Sequence, residues 1–163
     1  FLSRVVVDWE AACDPIRSKI RVCHARFGAV LHPNGGMMKR LLPLMKLGML
    51  GPIGSGNQFF SWVSLDDAVR AVYHLIADTS FEGPANIVSP NPQTQRNFMT
   101  DWGRAFFRPT KIPLPKPIVK YGMGEMGDQL LLRSSRVMPN VLTSKRFHFQ
   151  CMTIKDLCML YFK

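Results

Sequence analysis

Apolar residues follow two spacings along the chain, one typical of helices and one typical of buried strands. Helical spacing, in which apolar side chains return every three to four positions, occurs at residues 1–14, 37–47, 65–77 and 95–107. Short, nearly continuous apolar runs occur between them at residues 20–31, 58–63 and 85–88. Such runs are typical of strands covered on both faces. Strands that alternate with helices predict crossover units on a parallel sheet, and therefore an α/β fold.

The segment Gly51 to Ala77 joins a glycine-rich turn, an aromatic strand and a helix. Three glycines and a proline between positions 51 and 56 predict a tight turn, because glycine tolerates positive φ and proline fixes φ. Ser64, three residues before Asp67, predicts a helix start at which the hydroxyl accepts a backbone N–H bond and the acid faces the positive helix end. The predicted buried face of this helix consists of Leu65, Ala68, Val69, Val72 and Ile76.

The character of the chain changes after residue 110. The stretch IPLPKPIV is rich in proline, and the remainder predicts short helices at 119–126, 130–132 and 154–160 with one strand at Phe147–Phe149. We therefore predict two units, residues 1–110 and a small α-rich domain at 111–163. Within the first unit, Pro43 is expected to kink or shorten the helix at 37–47.

Composition narrows the range of functions. The chain has 163 residues, 47% of them apolar, with a net charge of +10. The basic residues are spread over both ends and form no run, which disfavours a dedicated nucleic-acid surface. No run of about 18 apolar residues and no signal-peptide pattern occurs, so we expect a soluble cytoplasmic protein and no membrane partner. The four cysteines show no metal-binding spacing, and we predict no metal site.

No motif in the chain is a complete catalytic set. The glycines between 51 and 56 precede a strand and lack the lysine of a phosphate-binding loop. A serine-hydrolase elbow and a zinc-protease helix are also missing from the sequence.

Several segments together resemble a known family. These are RVCHARFGAVLHPNGG, LGMLGPIGSGNQFFSW followed by Asp66 and Asp67, and GPANIVSP. They are similar to the C-terminal part of atypical extended short-chain dehydrogenase/reductases, the "epimerase family protein" group with a small C-terminal domain of unknown function. The resemblance implies a Rossmann-type NAD(P)-binding fold and an NAD(P)-dependent epimerase or reductase. In that family the dinucleotide loop lies upstream of the residue matching Phe1, and the catalytic Tyr-x-x-x-Lys ends near Arg4. We therefore expect no hydride transfer by this chain alone.

The resemblance also implies site residues. The loop after the first strand passes the nicotinamide ring, which makes Leu31, His32 and Pro33 candidate cofactor-side residues. Arg26 is a candidate substrate contact. It is expected inside a buried strand, where arginine is rare unless paired, so a structural ion pair is the alternative.

Three polar residues at the mouth of the glycine turn, Ser55, Asn57 and Gln58, are candidates for orienting a small substrate in an apolar pocket. Trp62 is a candidate for stacking on a ring or for filling the core. Sugar-nucleotide epimerases place a diphosphate-binding arginine two residues before the position of Trp62, and this chain has Phe60 there. That departure disfavours a nucleotide-sugar substrate. A second departure is Arg146, which stands where the family has a glycine.

Three functional hypotheses follow. The first is the substrate-side portion of an NAD(P)-dependent epimerase or reductase that acts on an unidentified small molecule and forms a homodimer. The second is a non-catalytic binding or scaffold protein that retains the reductase fold, and the third is a basic nucleic-acid-binding module. In a eukaryote the expected compartment extends to an organellar matrix or stroma.

Overall fold

The computed structural model describes residues 2–110, 113 and 134–162, which form helices and strands in alternation. The helices are α1 (Leu2–Ala11), α2 (Gly36–Lys46), α3 (Leu65–Ala77), α4 (Gln95–Ala105), α5 (Asn140–Ser144) and α6 (Ile154–Tyr161). The strands are β1 (Cys23–Phe27), β2 (Ala29–Leu31), β3 (Phe59–Phe60), β4 (Trp62–Ser64), β5 (Gly83–Ile87) and β6 (Gln93–Thr94). The predicted α/β fold is confirmed. None of the helices in these ranges is long and apolar enough to span a bilayer.

Parallel pairing dominates the sheets. β1 pairs with β5 from Cys23↔Gly83 to Phe27↔Ile87, and β2 pairs with β4. β3 and β6 form a short antiparallel pair. Two apolar runs that were expected to be single strands are each divided in two. The first is divided at Gly28, where an added Cβ would lie 2.9 Å from the Ser61 carbonyl oxygen, so only glycine allows the chains to approach this closely.

The expectation that β1 is covered on both faces is wrong. Ala25, Arg26 and Phe27 are exposed, and in the described part of the chain β5 is the only strand paired with β1. Arg26 is therefore not a buried arginine. It does form the ion pair that was the alternative, because Nε and Nη2 donate to the two carboxylate oxygens of Glu10 at 2.7 and 2.6 Å.

Helix α2 continues through Pro43, which lies inside it, and buries the methionine-rich face that its spacing predicts. In α3 the Ser64 hydroxyl accepts the Asp67 N–H at 3.1 Å, which confirms the predicted cap. The predicted apolar face of α3 is wrong in part. The helix buries its alanine side, Ala68 and Ala71 with Leu75, and leaves exposed three residues of the predicted face, namely Leu65, Val69 and Ile76.

The C-terminal segment packs into the same cores as the rest of the described chain. Ile154 and Leu157 of α6 join the core of α2 and α4. The buried Asp67 carboxylate accepts the backbone N–H groups of Gln150 and Cys151, which ties this segment to α3. Helix α6 confirms the helix predicted there, whereas residues 147–149 form no strand and α5 was not predicted. The other predicted helices, at 119–126 and 130–132, lie outside the described residues, and the boundary near 110 stays a prediction.

Burial keeps two thiols protonated. All four cysteines are free, and Cys151 and Cys158 are buried. Desolvation raises the pKa of Cys151 to about 11 and that of Cys158 to about 12. The described residues contain no group of histidine, cysteine or acidic side chains suited to hold a metal.

Candidate functional site

A cavity of about 560 Å³ opens where β1 and β5 end. Both strands are parallel, and ligands of open α/β sheets bind in the crevice outside the carboxyl ends of such strands. We call this space the strand-end cavity. Its lining residues are Arg26, Phe27, Gly28, Ala29, Phe59, Phe60, Ser61, Asn86, Val88, Ser135 and Val137.

The C-terminal segment forms one wall of the strand-end cavity. The Ser61 hydroxyl donates to the Ser135 carbonyl oxygen and accepts the Val137 N–H at 3.1 Å. The Arg136 guanidinium lies over the ring of Phe59, 5.2 Å from its centroid. These contacts hold residues 135–137 beside the turn between β3 and β4, so the cavity is built from both predicted units.

The positive charge of Arg26 at this cavity is compensated by an ion pair with Glu10. Hydrogen bonding to Arg26 lowers the pKa of Glu10, and the same bond raises the pKa of Arg26, so both stay ionised near neutral pH. On the β5 side, the Asn86 amide donates to the Met138 carbonyl oxygen at 3.2 Å. The cavity therefore offers amide, hydroxyl and aromatic contacts, and Arg26, the one cation among the lining residues that the structure describes, is held by Glu10.

Phe60 and Trp62 occupy the core beneath the cavity. Phe60 is buried and meets Phe98 edge to face, with ring centroids 4.8 Å apart. Trp62 is 1% exposed and packs on the same ring at 6.3 Å. The structure therefore places Trp62 as a core residue, in line with the alternative that its sequence position left open.

The three cofactor-side candidates lie at the last residue of β2 and in the turn after it, and none of them lines the strand-end cavity. Leu31 is buried, and His32 bridges to Gly35 across the turn that contains Pro33. The His32 ring stands edge-on to Tyr161, 5.0 Å between centroids. The Tyr161 hydroxyl in turn donates to Asp66, and burial together with this bond raises the pKa of Tyr161. Contact between residues 31–33 and a cofactor stays a prediction.

The polar groups of the glycine turn form hydrogen bonds within the turn and with α4. The Ser55 carbonyl accepts the Arg96 guanidinium at 2.7 Å, and the Ser55 hydroxyl accepts the Asn57 N–H. The Gln58 amide donates to the Ile53 carbonyl oxygen at 3.0 Å.

Helix α4 completes this closure of the turn. The side-chain Oε1 of the buried Gln95 accepts the Ile53 N–H at 2.8 Å. At Gly56 (φ +70°) an added Cβ would meet side-chain atoms of Arg96 and Pro52 at 3.0 and 3.1 Å. The turn is thus packed against α4 and leaves no cradle for a phosphate.

Of the eight site residues predicted from the sequence, Arg26 alone lines the strand-end cavity. Sequence reasoning missed Ser61, Asn86 and Ser135 as lining residues. One signal pointed to them: an isolated glycine inside a strand pattern, Gly28, marks a place where another backbone approaches closely.

Comparisons with known proteins show which proteins this chain is similar to. Residues 114–159 match the domain of unknown function DUF1731. An epimerase family protein of Mycobacterium tuberculosis is 43% identical over 157 residues, which is 96% of this chain and 52% of that protein. The human epimerase family protein SDR39U1 is 35% identical over 139 residues, 85% of this chain and 47% of that protein.

Solved structures give the fold. The crystal structure of human SDR39U1 with NADPH superposes with a TM-score of 0.83 at 30% identity and covers 94% of this chain and 52% of that chain. A nucleoside-diphosphate sugar epimerase from Corynebacterium glutamicum superposes at 0.74 with 28% identity and covers 97% and 30%. The chain spans about half the length of the curated relatives it matches. Over nearly all of its length it corresponds to the C-terminal portion of an epimerase family protein with a Rossmann-type α/β fold.

Proposed function

We propose that this chain supplies the substrate-side wall of an NAD(P)-dependent epimerase or reductase, with the strand-end cavity as the site. The observation that carries the proposal is the cavity of about 560 Å³ at the carboxyl ends of two parallel strands. The relative solved with NADPH supports a nicotinamide cofactor.

The lining of the cavity suits the nicotinamide end of such a cofactor. Phe27 is 49% exposed and offers an aromatic face, and Asn86 offers an amide beside it. When bound, a nicotinamide supplies the hydride donor or acceptor of the reaction. Phe27 and Val88 would exclude water from that ring. Because the glycine turn has no room for phosphates, we expect the part of the relatives that this chain does not span to hold them, and this chain not to be competent alone.

The substrate we propose is a small molecule without a diphosphate. Phe60, where a diphosphate-binding arginine was expected, is buried against Phe98. The nearby guanidinium of Arg26 is bonded on two nitrogens to Glu10. A substrate diphosphate would therefore meet no free cation among the described residues of the cavity.

The test is a titration of NADPH and NADH into the protein expressed from its complete gene. Phe27→Ala should weaken cofactor binding about tenfold, because it removes the aromatic face of the site. Ile20→Ala removes an exposed apolar side chain that does not line the cavity, and it should change affinity less than about twofold. If neither nucleotide binds, the hypothesis of an NAD(P)-dependent enzyme is wrong, and the hypothesis of a non-catalytic scaffold replaces it.

A further inference from the structure

Helix α3 presents an apolar stripe to solvent on the side opposite the sheet. Val69, Tyr73 and Ile76 are 61, 72 and 67% exposed and lie at intervals of four and three residues, so they fall on one face. A contiguous exposed apolar surface on a soluble domain marks a place where something else packs.

The stripe forms the floor of a groove of about 470 Å³ between α3 and the segment after α5. Val69 and Tyr73 line it from the helix, and Phe147 lines it from the opposite side. Its rim carries the side chains of Arg70, Arg146 and His148, and His74 also lines it, with its ring packed on Phe81 and Phe147. We call this feature the α3 groove.

The positive charge of the rim is only partly compensated. Arg70 is paired, because its Nη1 lies 2.8 Å from a carboxylate oxygen of the buried Asp67. The exposed side chains of Arg146 and His148 form no hydrogen bond or ion pair with any residue that the structure describes. The groove therefore pairs an apolar floor with an open cationic edge.

The backbone at Arg146 adds an independent observation. Arg146 has φ +58°, directly after α5, at a position where helices usually end in glycine. A side chain in this conformation costs roughly 1 kcal/mol relative to glycine. The chain thus keeps a cation at the groove in spite of a cost that glycine would remove.

We propose that the α3 groove binds an amphipathic helix of a partner protein, with apolar residues facing the stripe and acidic residues facing Arg146 and His148. Leu65, which is 39% exposed and lies four residues before Val69, extends the stripe, so that it runs to Ile76 over about 16 Å of helix, longer than a single small anion covers. An exposed helix face beside a groove is the geometry of helix recognition, and the cationic rim selects an acidic partner.

The probe is a fluorescein-labelled synthetic helix of about 16 residues, with leucines at helical spacing and glutamates along one flank. The matched control peptide has lysine at every glutamate. Anisotropy should show micromolar binding of the acidic peptide that weakens with salt, and binding of the control at least tenfold weaker.

Substitutions at two exposed positions, Arg146 and Tyr73, test the contacts and are expected to leave the fold intact. Arg146→Gly removes the cation and suits the positive φ, and it should weaken the acidic peptide about fivefold, whereas Arg146→Lys should retain most of the affinity. Tyr73→Ala, at an exposed position, should weaken it about tenfold. Arg40→Ala, which removes an exposed cation on α2, is the control and should change nothing.

Three results would overturn the proposal. The first is no binding of the acidic peptide, or binding that Arg146→Gly and Tyr73→Ala leave unchanged. The second is a concentration-dependent dimer in sedimentation that Tyr73→Ala abolishes, which would assign the stripe to a second copy of this chain. The third is saturable binding of benzoate in the groove that displaces the peptide in direct competition, which would assign it to a small organic anion.

Discussion

The glycine turn at residues 51–58 and the strand-end cavity both contain polar groups bonded to their own chain, but the bonds have opposite results. In the turn, Gln95 and Arg96 bond to Ile53 and Ser55 and close the loop onto α4. At the cavity, Ser61 bonds to residues 135 and 137 and joins two of the walls that surround about 560 Å³. The glycine-rich turn is therefore a place of close packing against α4, whereas the strand-end cavity keeps the open space that a binding site needs.

The largest expected loss of stability comes from substituting a glycine at which two chain segments approach closely, compared with a glycine that has open space around it. Gly28→Ala should lower the free energy of unfolding by about 3 kcal/mol, because the new Cβ lies 2.8 Å from Val88 and 2.9 Å from the Ser61 carbonyl. Gly35→Ala, where nothing lies within 4 Å of the added Cβ, should cost less than about 1 kcal/mol. Urea unfolding measures both. Equal losses would mean that the chains at Gly28 are not in close contact.

The next effect concerns the closure of the glycine turn. Gln95→Leu removes the acceptor of the Ile53 N–H in a fully buried position and should cost about 2 kcal/mol. Asn97→Leu, at an exposed position in the first turn of the same helix, should cost less than about 0.5 kcal/mol. Gln95→Leu should leave NADPH affinity unchanged, and a large loss of affinity would place the turn at the cofactor.

A pH series tests the burial of the two thiols in the C-terminal segment. The pKa of Cys151 is raised to about 11 and that of Cys158 to about 12 in the folded protein, from 9.0. Protonated thiols are thus favoured by the fold, so their contribution is complete below pH 9 and is lost as the pH rises toward 11. The urea midpoint should fall across this window, and the fall should be smaller in a Cys151→Ala, Cys158→Ala double variant. An identical fall in both proteins would contradict the burial of these thiols.

The smallest stability effect is expected at the mouth of the glycine turn. Asn57 and Ser55 are both exposed, so substituting both with alanine should cost less than about 1 kcal/mol. Thermal unfolding of the double variant measures this loss. A loss comparable to that of Gln95→Leu would show that the turn depends on these two side chains as well as on α4.

Element type and order could be predicted from the sequence because helical and strand spacings depend on local residue order. The buried faces of helices and the points at which strands are divided could not be predicted from these spacings. Helix α3 has apolar residues on two sides, and spacing alone does not tell which side meets the sheet; the smaller alanine side does. Residues 147–149 have the composition of a strand and form none, because two of their rings pack on each other and near α3 instead.

The site was harder to predict than the fold. The turn residues Ser55, Asn57 and Gln58 carry the polar groups of a typical site. The Gln58 amide nevertheless donates to Ile53, and the Ser55 carbonyl accepts from Arg96, 41 positions further along the chain. The cavity residues Ser61 and Ser135 are ordinary serines until folding brings them together across 74 positions. The ion pair of Arg26 was anticipated for a buried arginine, whereas Arg26 is exposed and pairs with Glu10 there.

The measurement that tests the central claim most directly is the NADPH affinity of two variants of the protein expressed from its complete gene. Phe27→Ala alters the wall of the strand-end cavity, and the Ser55→Ala, Asn57→Ala double variant alters the mouth of the glycine turn. If the site is the strand-end cavity, Phe27→Ala weakens NADPH binding about tenfold and the double variant binds within about twofold of the unmodified protein. The reverse order of effects would contradict the assignment and place the cofactor at the turn.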